Sequence, residues 1–293
     1  ANRALVTGGA TIQEINTVRK HLSQVKGGRL RMAAPDAMFV TLVLSDVIGD
    51  DLSSIASGPT VQDPTTCSDA IRVLERHDLW DRIPESCRNQ LLHGDAGEAD
   101  RAAMWRDHLG PRSHTMVVAS NAVVLRSLER ELLSQRYADF VTRVEVERSP
   151  VTGPVEETVD AHVARALSLS SQPGTLLISG GEPVVSVPPL ASGTGGRMLH
   201  YALLAARSIA GRDWAVLACG TDGIDGTSPA AGAVVTGDTI ATATRCGLDA
   251  DAYVRSFDSY GFFKALKERS GHDAIIVTGP TGTNVNDIML WAL

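Results

Sequence analysis

Five apolar, β-branched runs are each followed at once by small, hydroxylated or acidic residues, and segments of helical period lie between them. Val43-Leu44 leads into Ser45-Asp46 and, farther on, Gly49-Asp50-Asp51. Val117-Val118 leads into Ala119-Ser120-Asn121, and Leu177-Ile178 into Ser179-Gly180-Gly181-Glu182. Val216-Leu217 leads into Cys219-Gly220-Thr221-Asp222-Gly223, and Ile276-Val277 into Thr278-Gly279-Pro280-Thr281-Gly282-Thr283-Asn284. Strands alternating with helices define an α/β class, with mostly parallel sheets flanked by helices in a Rossmann-like arrangement. In such sheets the ligand sits beyond the carboxyl ends of the strands, where these five loops fall.

The first helix has a capping box, Thr11 with Glu14, and Ile12, Ile15, Val18, Leu22 and Val25 recur on one face until Gly27-Gly28 stops it. The continuous apolar run 38–47 reads as a strand buried on both faces. Helices are expected over 67–79 and 84–92, then strands over 114–120 and 140–146. Between those two strands Asn121 caps a helix running to about Tyr137. A helix over 155–169 precedes a Pro173-Gly174 break. Further strands are expected at 175–179, 184–187, 215–219 and 274–278. The loop 192–196 opens a helix, 220–237 reads as one long loop, and 285–293 ends the chain as strand or helix. The break divides the chain into a domain over 1–170 and a second over 171–293.

The net charge is −7. So acidic a chain gains little from counterion release on a phosphate polymer, which argues against nucleic acid as partner and equally against anionic membrane surfaces. No apolar run approaches bilayer length. Four cysteines with no Cys-x-x-Cys pair read as reduced thiols of a cytoplasmic protein. The start, Ala-Asn-Arg-Ala-Leu, lacks a secretory pattern and an initiator Met and reads as a cut point. There is no Gly-Lys dipeptide for a Walker A loop, no Gly-x-Gly-x-x-Gly after a strand, no Gly-x-Ser-x-Gly and no His-Glu-x-x-His. Hydride transfer, serine hydrolysis and zinc chemistry therefore lose weight.

The remaining polar residues suggest anion and cation handling. Arg197, opening a helix after Gly193-Thr194-Gly195-Gly196, carries the fork of donors that suits a carboxylate or phosphate. The loop 278–284 offers three hydroxyls and two glycines for phosphate contacts, with Asp287 just behind to reach a metal-bound water. Asp46, Asp50 and Asp51 after one strand, and Asp222 and Asp225 after another, suit magnesium or a base towards a hydroxyl. Arg19, Lys20 and Lys26 on the first helix read either as a solvated face or as a clamp on a substrate carboxylate. For each of these residues the plainer alternative is a turn, a helix cap or a loop ligand.

Several longer motifs carry a resemblance. The runs Asn16-Thr17-Val18-Arg19-Lys20-His21-Leu22-Ser23, Lys26-Gly27-Gly28-Arg29-Leu30 and Ile55-Ala56-Ser57-Gly58-Pro59-Thr60 occur in order with Ser179-Gly180-Gly181-Glu182 and Gly195-Gly196-Arg197. Gly220-Thr221-Asp222-Gly223-Ile224-Asp225-Gly226 and the segment 278–287 complete the series. Together they resemble glycerate 2-kinases of the MOFRL type along essentially the whole chain. The resemblance implies two α/β domains and transfer of the ATP γ-phosphoryl group to the 2-hydroxyl of D-glycerate with Mg2+, in a cleft between the domains. For that reaction, residue type and place put Arg197, Asp222 and Lys20 in catalysis and Asn16, Arg19, Ser57 and Asp225 on the substrate. They put Ser179, Gly180, Gly181, Gly279, Thr281, Gly282, Thr283 and Asn284 on nucleotide phosphates, and Asp46, Asp50 and Asp287 on the metal. A homodimer is compatible with the resemblance.

Three departures accompany the resemblance. The family carries further chain before the position of Ala1, with a Gly-rich serine loop and a lysine. It continues Gly-Gly-Arg with Asn-Gln-Glu where this sequence has Met198, Leu199 and His200. It continues the aspartate loop with Pro-Thr-Asp where this sequence has Thr227, Ser228 and Pro229. The rival readings are a hydroxypyruvate reductase using NAD(P)H and a non-catalytic truncated homologue.

Overall fold

The computed structural model describes residues 1–94, 98–189 and 191–293. The chain divides into two compact units, one of residues 1–43 and 49–118, the other of 44–48 and 119–293.

In the first unit, α1 (Asn2–Thr7) precedes the capping box expected at Thr11. The Thr11 hydroxyl accepts the Glu14 amide, the Glu14 carboxylate accepts the Thr11 amide, and α2 (Ile12–Leu22) starts there. The helix stops at Ser23, whose Oγ accepts the amides of Val25 and Lys26, so Val25 is exposed instead of continuing the apolar face. Next come α3 (Arg29–Met32), β1 (Phe39–Leu44), α4 (Cys67–Arg76), α5 (Glu85–His93), α6 (Glu98–Met104) and β2 (Ser113–Ala119). A second capping box, Thr66 with Asp69, starts α4. Leu5, Ile15, Val18, Ala70, Leu74 and Leu91 form the core of this unit. The run 38–47 is not buried on both faces. Among the described residues β1 pairs only with β2, and its burial alternates, leaving Val40 and Leu42 exposed.

The second unit holds α7 (Asn121–Leu132), β3 (Arg143–Val146), β4 (Val151–Pro154), α8 (Val155–Leu169), β5 (Thr175–Val184), α9 (Arg197–Ser208), β6 (Ala215–Gly220) and β7 (Gly232–Thr236). It closes with α10 (Thr239–Arg245), α11 (Ala250–Arg255), α12 (Ser259–Ser270), β8 (Ile275–Ile276) and β9 (Asp287–Ala292). One seven-stranded sheet runs β3-β5-β9-β6-β7-β8, with β4 also on β5. The α/β class holds. Strand direction, however, is mixed. β3 and β4 lie parallel to β5, whereas β9 runs antiparallel to both β5 and β6, and β7 antiparallel to β6 and β8. The parallel pairing read from the strand–helix alternation therefore applies to β3, β4 and β5. The β6–β7 connection carries no crossover helix, and an antiparallel pair needs none.

By packing, residues 119–170 belong with the second unit, because β3 and β4 pair with β5 and α8 packs on α9. The sequence break at 170–174 marks the turn before β5, not an edge between packed units. Asn121 is the first residue of α7 rather than its cap. Its side-chain amide donates instead to the carbonyls of Val285 and Asp287, tying α7 to the start of β9.

α9 is the central helix, buried at every position from Met198 to Ala206. Met198 and Leu199, two of the departures noted above, are fully buried there. Apolar side chains at these positions fill core volume. Behind them Tyr201 is buried completely; its hydroxyl lies 2.6 Å from His162 Nδ1 and accepts from Trp291 Nε1 at 2.8 Å. This joins α8, α9 and β9 through one atom. Tyr201→Phe removes it and leaves the Trp291 N–H without its acceptor, so denaturant unfolding is expected to show a loss of about 1–3 kcal/mol. A midpoint equal to that of the parent protein would show that the hydroxyl holds nothing.

Among the described residues no helix is long and apolar enough to cross a membrane, and no disulfide joins the cysteines.

Candidate active site

Arg197 is the first residue of α9 and borders a cavity of about 900 Å³ in the second unit, together with Glu182, Asp222, Asp225, Asp287 and the glycines 193, 195 and 196. Its guanidinium is held on two sides. Nε donates to Asp287 Oδ2 at 2.5 Å and one terminal nitrogen to Asp287 Oδ1 at 3.3 Å, while the other donates to Glu182 Oε1 at 2.9 Å. Glu182 lies on β5 and Asp287 starts the adjacent β9, so the sheet register fixes the fork. Burial alone would lower the arginine's pKa, but the hydrogen bond and charge of Asp287, with Glu182 and Asp225 behind it, raise it. Arg197 is therefore a permanent cation on the cavity wall.

Asp225, expected on the substrate, borders the cavity, and its carboxylate is engaged by the protein's own backbone. Both its oxygens face the amino end of α9, Oδ1 accepting the Met198 amide at 3.1 Å and Oδ2 the Leu199 amide at 2.7 Å. The anion at this helix start is thus the protein's own carboxylate. Gly196 is required for it, because a Cβ there would run into Asp225. Burial raises the pKa of Asp225 against the lowering effect of those two amides.

Asp287 is 2% exposed, and burial pushes its carboxyl up to about 7 despite Arg197. The fold keeps that proton until about pH 7, whereas an unfolded chain releases it near pH 4. The stability this group contributes is therefore greatest below pH 4 and falls as the pH rises to 7. Above 7 the ionised carboxylate pairs with Arg197. The Arg197 Nε–H resonance in proton–nitrogen spectra is expected to shift with a midpoint near pH 7, and Asp287→Asn to abolish the shift. A flat resonance across this range in the parent protein would contradict the assignment.

Asp222 is half-buried and accepts the Ile224 amide at 3.2 Å. It lies beside the same glycine, Gly220, as Asp287. The loop 278–284 packs on this strand end. The Thr281 amide donates to the Asp222 carbonyl at 3.0 Å, and the Thr281 hydroxyl to the Thr221 carbonyl at 2.7 Å. Thr281 thus shapes the loop. Thr283, Gly282 and Gly279 form its open turn, and Asn284 Oδ1 accepts the Asn286 amide. None of the loop residues 278–284 borders the cavity.

The structure gives Ser179, Gly180 and Gly181 a different role from the expected phosphate contact. All three are buried inside β5, paired with Met289, Ile288 and Asp287 of β9. Gly180 leaves room for the Asn121 side chain and Gly181 for the backbone of β4.

The first unit's candidates are engaged within that unit. Lys20 is 4% exposed, with Nζ 3.4 Å from Asp63 Oδ1, so it is a buried ion-pair member and not a free clamp. Asn16 Oδ1 accepts the Ser57 hydroxyl at 3.0 Å. Arg19 donates to Asn2 at 2.7 Å, and Lys26 to the Ala56 carbonyl at 2.9 Å. Ala56, Ser57 and Gly58 all have positive φ near 55°, a strained turn held against α2. Asp50 also has positive φ, and Asp46 is exposed. Neither borders the cavity, nor do the described residues contain a group of three or more His, Cys, Asp or Glu placed to hold a metal ion.

A fixed arginine and several acids around a cavity can hold a small anion and meet charge that develops on it. Comparison gives the family. Residues 175–287 match the MOFRL family, and residues 1–92 match a family described as "Domain of unknown function (DUF4147)". The chain is 38% identical to the glycerate 2-kinase of Pyrococcus horikoshii over 98% of its own length, and spans 62% of that relative. It is 34% identical to the glycerate kinase of Macaca fascicularis, again over 98% of its length, and covers 80% of it. The crystal structure of the glycerate kinase from Thermotoga maritima superposes with a TM-score of 0.82 at 33% identity, covering 100% of this chain and 66% of that one. The chain belongs to the glycerate kinase family. Its MOFRL segment starts close to the sequence break, although the packed unit around it starts at 119.

Proposed function

We propose that the protein transfers the γ-phosphoryl group of ATP to the 2-hydroxyl of D-glycerate, giving 2-phosphoglycerate and ADP. The observation that carries the reading is Arg197, a permanent cation fixed by Asp287 and Glu182 on the wall of a cavity ample for a three-carbon acid and phosphate groups. Phosphoryl transfer needs little covalent help from the protein. It needs positioning and neutralised charge, which a preset guanidinium supplies to the transferring group or to the glycerate carboxylate. Asp222, held through only one of its oxygens among the described contacts, stands near the reacting hydroxyl, where it accepts a proton or meets the cation.

Magnesium fits this site as a partner of the nucleotide. With Asp225 spent on amides and Asp287 on Arg197, Asp222 is the acid left to hold it, and phosphate oxygens and water would complete its shell. Bound there, the ion would screen the phosphate charge. Asp46 and Asp50 have no support from the geometry for that role. Cysteines joined by no disulfide and small charged substrates suit a cytoplasmic enzyme.

The test is ADP release in a coupled assay. Release is expected to require both D-glycerate and magnesium and to stop with EDTA. ADP release that ignores glycerate would contradict the proposal.

A further inference from the structure

The segment after α11 has no role in the account so far, yet it holds a bulky residue in a strained backbone conformation. Phe257 has φ +55°, a left-handed conformation that is an outlier for a bulky side chain. Its ring lies 5.3 Å from that of His200, nearly parallel at 12°, against the first turn of α9. Beside it Asp258 Oδ1 accepts the Thr194 amide at 2.9 Å, and the Tyr260 amide donates to the Thr194 carbonyl at 2.9 Å. Thr194 is thus gripped at both polar backbone atoms by one turn.

The glycines on either side of Thr194 match this turn. A Cβ on Gly193 would meet the Phe257 carbonyl at 2.5 Å, and one on Gly195 would strike the Ser259 hydroxyl. The loop 193–196 is therefore moulded on residues 256–260. It ends at Arg197, and its glycines would not hold one shape unaided.

We infer that the turn at Phe257 and Asp258 is a positioning element that sets the loop 193–196 and so aims Arg197, with Asp258 as its anchor. Strain in the turn is tolerated because the grip on Thr194 and the stack on His200 over-determine it. Phe257 and Ser259 of this turn also line the cavity, whereas Asp258 does not. Asp258 acts through the loop, and its catalytic consequence rests on the kinase reading above.

The test uses the full protein in three variants, read by kcat and KM and by the Arg197 Nε–H resonance. Asp258→Ala is expected to lower kcat about 100-fold, the scale of an ångström's misplacement of a reacting group, with KM for D-glycerate near its parent value. The Arg197 resonance should broaden or move. Asp258→Asn, whose amide oxygen accepts the same hydrogen bond, should restore both. Phe257→Gly relieves the positive φ, so it folds even if Asp258→Ala does not; its melting midpoint should be kept or raised while kcat falls. Parent-like kcat and an unmoved Arg197 resonance in Asp258→Ala, or full activity in Phe257→Gly, would overturn the inference. If the parent protein transfers no phosphoryl group, the kinase reading fails, and the Arg197 resonance alone still decides the positioning role.

Discussion

Arg197→Ala is expected to lower phosphoryl transfer by roughly 10³-fold or more, the scale on which arginines at transferring phosphoryl groups act. The residue is not needed to fold α9, which is buried along its next nine positions and capped by Asp225. Nor does its removal strand a buried charge, because Asp287 holds a proton below about pH 7 and would simply keep it when the cation is gone. Activity should therefore fall far more than stability. Arg197→Lys should not rescue it, since an ammonium cannot bridge Asp287 and Glu182 as a planar fork does. Parallel steady-state assays and thermal melts check both halves. A variant that keeps its rate, or one that fails only by unfolding, would contradict the role.

Asp225→Ala is expected to have the largest effect on stability. It leaves the buried amides of Met198 and Leu199 without acceptors, each worth about 1–3 kcal/mol. The relief of a buried carboxylate offsets part of that loss, for a net cost of roughly 2–4 kcal/mol. Turnover should fall too, since the freed helix start carries Arg197. Asp225→Asn keeps one acceptor and turns an NH2 group towards the other amide, so it should lie between. Chemical denaturation of the three proteins gives the order directly. Equal midpoints for Asp225→Ala and the parent would show that the cap contributes nothing.

Local signals in the sequence were read well because the physics behind them is local. The capping box at Thr11 and Glu14, the helix start at Arg197 and the strands near 113, 175 and 215 all lie where short-range pattern puts them. The family resemblance rested on motifs of this kind. Long-range pairings were not legible. Asp225 caps a helix that begins 28 positions earlier in the chain, and Asp258 holds a loop 64 residues away. No spacing rule announces either.

β9 was left between strand and helix, yet it lies in the middle of the sheet between β5 and β6. Its period cannot tell a buried strand from a buried helix segment. β7 is only five residues long and follows the small residues Ala230 and Ala231, so it reads as part of the long loop 220–237. The ion pair of Lys20 has no local signal, because its partner Asp63 is 43 residues distant. Ser179, Gly180 and Gly181 read as a phosphate loop but lie inside β5, where Gly180 leaves room for Asn121 and Gly181 for the backbone of β4.

The most direct measurement is phosphorus NMR of the full protein with ATP, D-glycerate and magnesium, run beside an assay of NAD(P)H oxidation with hydroxypyruvate. The account predicts 2-phosphoglycerate and ADP in equal amounts and no NAD(P)H consumption. Phosphate on the 3-hydroxyl, or NAD(P)H oxidation without ATP, would contradict it.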